Sequence, residues 1–521
     1  MDLRAFDPMW LNMTDTLYRY FRSERGALVL LLGVAAIALL LGLGQRELWG
    51  AETRWANIAL QMLQSGDYFD PYLKGGAYYD KPLPSYWLIT ATAGLMGGLD
   101  HWSLRLPSVL AAWLSVWLVY LLGEQLFRKG TGLIAGWLLT TTFYFLVWSR
   151  VATADVLTVF GVLAAVWWYW RDPLDTRFSR YAAFFLILAL TSLLKGLIGF
   201  ILPGLMLLPH LLAEGRWKRH LNLRLLAALV VAGAVYMIPF VLSHFYGQPT
   251  YGESGLGLVV RENVVRFFKP FDNFGPIYTY LLYLPVYTLP WAPCWLIGLW
   301  LAVRHWRSTD ANTRWLVLGL GLMFAFFTAC GSRRSYYVLP LVPFAQLLGA
   351  AWLRGYLANR PASARRWQRG IGIAAALMIL VIGVAYPWTN GNGGIIRFGQ
   401  DVEARASEQA PWNQWHLVMV EVDNKLPLYV QNHAGPFTYI GEDEDYPRDG
   451  TSADFMAWLA HRTGTAWNPA RTIVFAQYPT LKDLPLRYLA EDHDLVLTQP
   501  DNGARLFHAH DNQSVAFIPK P

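Results

Sequence analysis

GALVLLLGVAAIALLLGLG, residues 26–44, decides the fold. The run carries no charge and is long enough to cross a hydrocarbon layer about 30 Å thick as a helix. No small-residue cleavage site precedes the polar segment that follows, so it reads as a retained transmembrane helix and not as a signal peptide. Ten further apolar runs follow, at about 106–127, 131–148, 154–170, 181–195, 197–213, 223–245, 278–303, 314–330, 336–353 and 371–388. The expectation is eleven spans, or thirteen if 256–275 or part of 84–99 also dips into the bilayer.

The composition of the 521 residues agrees with this. Hydrophobic residues make up 55% and charged residues only 15%, whereas soluble domains carry about 25% charged residues. The 25 Trp, 27 Tyr and 27 Phe suit membrane interfaces, where aromatic rings collect. A disordered chain, a coiled coil and an ordinary cytosolic enzyme are excluded. Cys294 and Cys330 both lie in or at the end of apolar runs, which argues against a disulfide framework. No zinc-type Cys/His spacing occurs.

Charge placement gives an orientation. Alternate loops are basic: Arg128 and Lys129; Arg171, Arg177 and Arg180; Arg216, Lys218, Arg219 and Arg224; Arg304, Arg307 and Arg314; Arg354, Arg360, Arg365, Arg366 and Arg369. The N-terminal Arg4, Arg19, Arg22 and Arg25 fall in the same set. These segments read as cytoplasmic by the positive-inside rule. They account for the net charge of +7 without a nucleic-acid partner. The outer side then holds a loop over 45–105, a second over 244–277 and a tail over 389–521. In the tail, 415–422 and 471–477 read as strands, 453–464 and 480–489 as helices, and 495–510 as a hairpin turning at Asn502–Gly503. The division is a membrane domain, 1–388, and a small soluble α/β domain, 389–521.

Several charges break the pattern by standing at outer helix ends, where an ionisable side chain is a functional candidate. Arg150 and Asp155 flank the turn SRVATAD, Lys195 sits in SLLKGLIG, and Arg333 and Arg334 sit in GSRRSYYVLP. In the first outer loop, ETRWANIALQML has helical periodicity, with Glu52 and Arg54 at its start. His508 and His510, and the acidic run Glu442–Asp445, lack the companions a metal site needs.

AETRWANIALQMLQSGDYFDPYLKGGAYYDKPLPSYW, residues 51–87, resembles the first outer loop of lipid-to-acceptor glycosyltransferases. These are the bacterial aminoarabinose transferases of lipid A and the related protein O-mannosyltransferases, which share the GT-C fold. TADVLTVF (153–160), LLKGLIGFILPG (193–204), RENVVRFF (261–268) and SRRSYYVLPLVP (332–343) continue the likeness in order. The resemblance implies a polytopic α-helical membrane protein of the GT-C fold, with about 11–13 transmembrane helices and a soluble α/β periplasmic domain. Its place would be the bacterial inner membrane, with the active site on the periplasmic side. Three positions depart from the family pattern. Ala51 stands where many members have Asp, Asp80 replaces Glu before Lys-Pro, and Arg333 stands where the lipid A enzymes often have Lys.

The implied reaction is inverting transfer of a sugar from a polyprenyl (undecaprenyl) phosphate donor to a lipid A, glycan or protein acceptor. With Asp missing at position 51, Glu52 is the expected general base, helped by Asp155. Arg54, Lys81, Lys195, Arg261, Arg266, Arg333 and Arg334 are the candidate cations for the leaving phosphate. Tyr78, Tyr79, Tyr336 and Tyr337 would line the sugar or the lipid entrance, and Asp80 is a further substrate-binding candidate. Glu52→Gln is expected to leave the fold intact. No cofactor is required, because fixed cations suffice; some GT-C relatives bind a divalent metal. Two competing readings are an inactive envelope scaffold, suggested by Ala51, and a lipid-linked sugar transporter or flippase, for which no internal repeat is evident. Reporter fusions test the orientation: residue 365 should report the cytoplasm and residue 450 the outside. Both on one side would refute it.

Overall fold

Each of the eleven apolar runs carries a helix or a bent helix pair in the computed structural model. It describes residues 23–246, apart from 74–75, 79–80, 214 and 216. Within 247–272 it describes 257, 261, 265 and 268–269, and after that 273–390. In the tail it describes 394–420, 422, 425–430, 437–440, 451–463, 468–477, 493–497 and 514–519.

Helix α1 (Glu24–Leu40) starts at Ser23, whose hydroxyl accepts the Gly26 N–H at 3.1 Å, satisfying one of the free donors of a helix start. The outer loop then forms α2 (Glu52–Ser65), a two-strand hairpin β1 (Tyr72–Leu73) and β2 (Gly76–Ala77), and α3 (Pro84–Met96). A capping box between Asp100 and Ser103 opens α4 (His101–Leu126). The bundle continues with α5 (Thr131–Thr140), α6 (Phe143–Ser149), α7 (Ala154–Arg171), α8 (Phe178–Lys195), α9 (Ile198–Ala213), the single turn α10 (Trp217–His220) and α11 (Leu223–Tyr246). Next come α12 (Thr279–Tyr287), α13 (Ala292–Arg304) and α14 (Ala311–Ala329). A 3₁₀ segment, Ser335–Leu341, runs straight into α15 (Val342–Leu357). Helix α16 (Pro361–Met378) passes through a π-helical stretch, Ile379–Ala385, into α17 (Tyr386–Asn390).

By length and composition, six of these segments can cross a membrane unaided, and eight if α5–α6 and α12–α13 each count as one bent span. That count leaves out α1, α7 and α9, which also lie on apolar runs. Helix α1 has 17 residues and α9 has 16. Helix α7 has 18, but charged Asp155 and Arg171 stand near its ends and its last turn is rich in Trp.

The two bends, 67° in α5–α6 and 118° in α12–α13, support each other. A broken helix inside a membrane frees backbone groups that must find partners in the protein. Here the Phe143 N–H donates to the Leu289 carbonyl at 3.2 Å. Gln346 of α15 donates from one nitrogen to the Thr142 hydroxyl at 2.9 Å and to the Thr288 carbonyl at 3.1 Å. The indoles of Trp291 and Trp295 donate to the Thr141 and Thr288 hydroxyls, both at 2.8 Å. Threonines at the breaks and one buried glutamine therefore join α5, α6, α13 and α15 into a single core.

The tail carries α18 (Gly394–Gln409), β3 (His416–Val420), α19 (Leu426–Tyr429), β4 (Phe437–Ile440), α20 (Ser452–Thr463), β5 (Thr472–Gln477), β6 (His493–Leu497) and β7 (Ser514–Pro519). The sheet order is β4-β3-β5-β7-β6. Strand β3 is parallel to β4 and β5, and β7 is antiparallel to β5 and β6. All five residues of β3 are buried, as expected of a strand covered on both faces. The strands read at 415–422 and 471–477 and the helix at 453–464 are present. The helix read at 480–489, the turn at Asn502–Gly503, His508, His510 and Glu442–Asp445 lie outside the described residues. Helix α18 and strand β4 were not anticipated, although Ile395, Phe398, Val402 and Ala406 of α18 stand at helical spacing and are buried; β4, with four residues, is too short to show an alternation.

Helices α4 and α5 approach most closely where Gly123 faces Gly132; a β-carbon on Gly132 would run into the Tyr120 carbonyl and Glu124. Gly132→Ala must therefore push two helix backbones apart. It is expected to lower the thermal midpoint by an amount equivalent to about 1–3 kcal/mol, the usual range for overpacking. Gly94→Ala, with open space around the new methyl group, should leave it unchanged. Equal midpoints for the two variants would refute the close-approach argument.

Candidate active site

The periodic run that opens at Glu52 does form a helix, α2, whose apolar side packs Trp55 on Tyr86 of α3 at 4.8 Å between ring centroids. Its first side chain does not face solvent. Glu52 is fully buried, and both of its oxygens are occupied. Arg105 of α4 grips it with two nitrogens, Nε to Oε1 at 2.7 Å and Nη2 to Oε2 at 3.0 Å. Arg46 donates to Oε2 at 2.9 Å, the Trp49 N–H to Oε2 at 3.1 Å, and the Ala152 N–H to Oε1 at 3.1 Å. Burial alone would push the Glu52 carboxyl up. Arg105, Arg46 and the Ala152 N–H outweigh it and bring the pKa down to about 2. Such a carboxylate is a weak base with no lone pair turned to a substrate. The expected base role of Glu52 is therefore corrected to a structural one.

That role reaches Asp155. The turn at 150–153 is held at three points: Arg46 donates to the Arg150 carbonyl at 3.1 Å, Glu52 accepts from Ala152, and the Ser108 hydroxyl donates to the Thr153 carbonyl at 3.2 Å. Helix α7 starts there, with Asp155 in its first turn. Lys195, the last residue of α8, pairs with Asp155 Oδ1. Both charges suit their places, since a carboxylate is favoured at a helix N-terminus and an ammonium at a C-terminus. The Lys195 ammonium also lies 4.8 Å from the Tyr337 ring centre and 5.7 Å from that of Tyr336. Tyr336 packs on Trp148 at 4.3 Å, and Trp148 on Trp49 at 5.6 Å. An aromatic wall thus stands beside the Asp155–Lys195 pair.

Arg54 donates to the Tyr78 hydroxyl at 2.7 Å, and its guanidinium lies 5.4 Å from the centre of that ring. The fold thus brings Asp155 of α7, Lys195 of α8 and Tyr336 and Tyr337 of the 3₁₀ segment together, with Arg334 directly before that segment and Arg54 paired with Tyr78 in the first loop. Lys81 is half-buried just before α3, and Arg261 is half-buried in the second outer loop. Tyr79, Asp80 and Arg266 lie outside the described residues.

Arg333 takes a different part from the one expected. Its guanidinium donates to the Gly275 carbonyl at 2.6 Å and the Thr328 carbonyl at 3.0 Å, and its N–H to the Asn273 carbonyl at 2.8 Å. It clamps the second outer loop to the end of α14, so its expected place at the donor phosphate is corrected. Arg46 and Arg105 were missed. The available signal was Arg105 itself, a charge placed directly before the apolar run at 106–127.

Residues 80–243 match the family described as dolichyl-phosphate-mannose-protein mannosyltransferase. The chain is 30% identical over 382 residues to undecaprenyl phosphate-alpha-4-amino-4-deoxy-L-arabinose arabinosyl transferase 2 of Pseudomonas fluorescens, covering 70% of this chain and 63% of that one. The corresponding Pseudomonas aeruginosa transferase is 31% identical over 344 residues, 63% of this chain and 60% of the relative. The matched segments thus span about three fifths of these relatives' length. ArnT from Cupriavidus metallidurans, solved with undecaprenyl phosphate bound, superposes with a TM-score of 0.68 at 19% identity, over 95% of this chain and 98% of that one. The chain therefore has the fold of that ArnT structure.

The tail reaches the same network. Tyr429 of α19 accepts the Leu48 N–H at 2.9 Å and meets His101 at 3.1 Å. Leu428 and Tyr429 pack into the apolar cluster of α2 and α3. Lys425 pairs with Glu47 at 3.4 Å, and the Glu47 carbonyl in turn accepts from Arg46 and Arg105.

The Glu52 pKa carries a stability prediction. A folded value of about 2 lies below the ordinary value near 4.3. The stabilisation is therefore complete above about pH 5 and is lost as pH falls through 4 toward 2. Glu52→Gln removes the charge at every pH and leaves two buried guanidiniums without a counter-ion, a loss of about 3–5 kcal/mol. Thermal unfolding in detergent should show the variant destabilised at pH 7 and with a weaker acid dependence than wild type. A wild-type midpoint for Glu52→Gln at pH 7 would overturn the structural role.

Proposed function

We propose that this chain is an inverting glycosyltransferase that uses a polyprenyl-phosphate-linked sugar at the outer face of the bacterial inner membrane. The observation that carries the reading is the Asp155–Lys195 pair, set between two helix ends beside Tyr337 and pinned by the Glu52 network. The GT-C fold and the likeness to undecaprenyl-phosphate aminoarabinose transferases support it.

In this scheme Asp155 is the general base. An acceptor hydroxyl oxygen forms the new bond to the anomeric carbon while the bond from that carbon to the phosphate oxygen breaks. The hydroxyl proton passes to the Asp155 carboxylate, and the bonding pair leaves with polyprenyl phosphate. One displacement inverts the anomeric configuration. Lys195, Arg54, Lys81, Arg261 and Arg334 supply the cations around the leaving phosphate. Arg gives a planar fork and Lys a mobile point charge. Tyr78 and Tyr337 line the approach of the sugar or lipid. The phosphate charge is met by these side chains, and no cofactor is invoked. Undecaprenyl phosphate-linked 4-amino-4-deoxy-L-arabinose is the first donor to test, and lipid A, implied by the sequence resemblance, the first acceptor. The membrane orientation is the one given by the basic loops, which puts Asp155 and the tail in the periplasm.

Purified protein should release polyprenyl phosphate only when donor and acceptor are both present. Asp155→Asn should retain the wild-type thermal midpoint within a few degrees and lose about 10²–10⁴-fold in rate, the usual contribution of a general base. Turnover with a soluble nucleotide sugar, or near-normal turnover of a folded Asp155→Asn, would sink the scheme.

A further inference from the structure

Helix α7 has 18 residues, about 27 Å at 1.5 Å per residue. That is nearly the thickness of the hydrocarbon layer. Asp155 stands at one end, so the other end, at Asp172, lies at the opposite membrane face from the candidate active site. A cavity of about 250 Å³ opens there, between the ends of α7, α8, α9 and α11 and capped by α10. Its walls are almost wholly apolar, with Phe184, Phe185, Leu207, Leu211, Trp217 and Leu225 among them. A cavity this far from the Asp155–Lys195 pair serves no step of the transfer.

The mouth of this cavity is charged with one sign in excess. Asp172, Asp175 and Arg180 line the cavity; Arg171, Arg219 and Arg224 directly adjoin the lining residues Asp172, His220 and Leu225 in the chain, and Arg177 is bound to Asp175. Five arginines thus stand against two aspartates, and Asp175 is already paired with Arg177 at 2.7 Å. The rim is ordered. Tyr181 meets His220 Nδ1 at 2.9 Å, Asn222 donates to the Tyr181 hydroxyl at 3.2 Å, and Arg180 lies over the Trp168 ring at 4.3 Å. An apolar chamber under a cationic rim, at membrane depth, is complementary to one molecular shape: a hydrocarbon chain ending in an anionic headgroup.

We propose that this cavity is a binding site for an anionic phospholipid, with part of an acyl chain between α8, α9 and α11 and the phosphate at the rim arginines. Its assignment to the cytoplasmic leaflet rests on the proposed orientation; the binding does not. Basic pockets between helices are a recognised form of lipid headgroup site. The lipid would brace α10 and α11, which the described residues show largely exposed along their outer sides.

The test uses the full chain in mild detergent and native mass spectrometry. The probes are phosphatidylglycerol, phosphatidylethanolamine with the same acyl chains, and inorganic phosphate as competitor. Phosphatidylglycerol should be retained in preference to phosphatidylethanolamine and resist displacement by phosphate. Leu211→Trp, which fills the cavity, should abolish retention. Arg219→Gln/Arg224→Gln, a surface change that spares the cavity, should weaken it about 25-fold, at about fivefold for each cation near an anionic lipid. Should Leu211→Trp misfold, Leu225→Trp gives the same reading from α11. Equal retention of the two lipids, unchanged retention in the double arginine variant, or full displacement by phosphate would each overturn the proposal. Transfer activity is read separately, so failure here leaves the assignment of Asp155 standing.

Discussion

One buried carboxylate holds the active-site end of this protein together. Glu52 accepts five hydrogen bonds, from Arg46, two nitrogens of Arg105, and the N–H groups of Trp49 and Ala152. Removing an ionised carboxylate from water is costly, and an ion pair repays this only when its geometry and remaining hydrogen bonds are complete. Here they are. The bidentate Arg105 contact matches a planar guanidinium to a planar carboxylate. Its Nη1 donates to the Leu43 carbonyl at 2.6 Å, and Nη2, besides holding Glu52, donates to the Glu47 carbonyl at 3.1 Å, in the stretch where α1 gives way to the loop. Arg150 adds a bond to the Ala38 carbonyl at 3.0 Å. The end of α1, the start of α2, the body of α4 and the turn before α7 therefore share one polar centre, so none of them can shift alone.

That centre explains why the tail is tied to the membrane part. Tyr429 and Lys425 touch Leu48 and Glu47, the residues lying between Arg46 and Trp49. A soluble domain that only needed tethering would gain nothing by inserting Leu428 and Tyr429 into the cluster around Trp55 and Tyr86. The insertion covers part of the loop and gives the Leu48 N–H its partner. Within the bundle the same requirement is met differently. The bends at Thr141–Thr142 and Thr288–Trp291 meet each other, and Gln346 bridges them. In both places irregular backbone is tolerated because protein groups replace the water that the membrane excludes.

Much of this was legible in the sequence, for physical reasons that differ by element. The apolar runs were visible because lipid admits only long uncharged helices, and a helix was found on each. What the runs could not show was how many cross as straight rods. Breaks at Thr141 and Thr288 change only a few atoms of polarity and leave the mean hydropathy high. Helix α2 was readable from its periodicity and Glu52 from the family pattern. The role of Glu52 was not, because Arg46 and Arg105 are 6 and 53 residues away, and no local spacing announces such a partner. Arg333 failed for the same reason. Its carbonyl partners, on Gly275 and Thr328, are backbone atoms and carry no sequence signal.

The contrast between Glu52 and Asp155 shows how a carboxylate is assigned a part. Both begin helices, both sit at the outer boundary, and both are largely buried. Glu52 meets two guanidiniums and two backbone donors, so its charge is over-compensated and its lone pairs are used. Asp155 has a single ammonium on one oxygen, at the end of a lysine side chain whose four methylenes can swing. A base must accept a proton and then release it, which requires a partner that can move or be replaced by substrate. A lysine can leave Asp155 for a phosphate arriving beside it, exchanging one anion for another at little electrostatic cost. An arginine fixed by four hydrogen bonds inside the fold cannot leave Glu52 without breaking the loop that carries it. Number and rigidity of cationic partners, not burial alone, therefore separate the anchoring carboxylate from the reactive one.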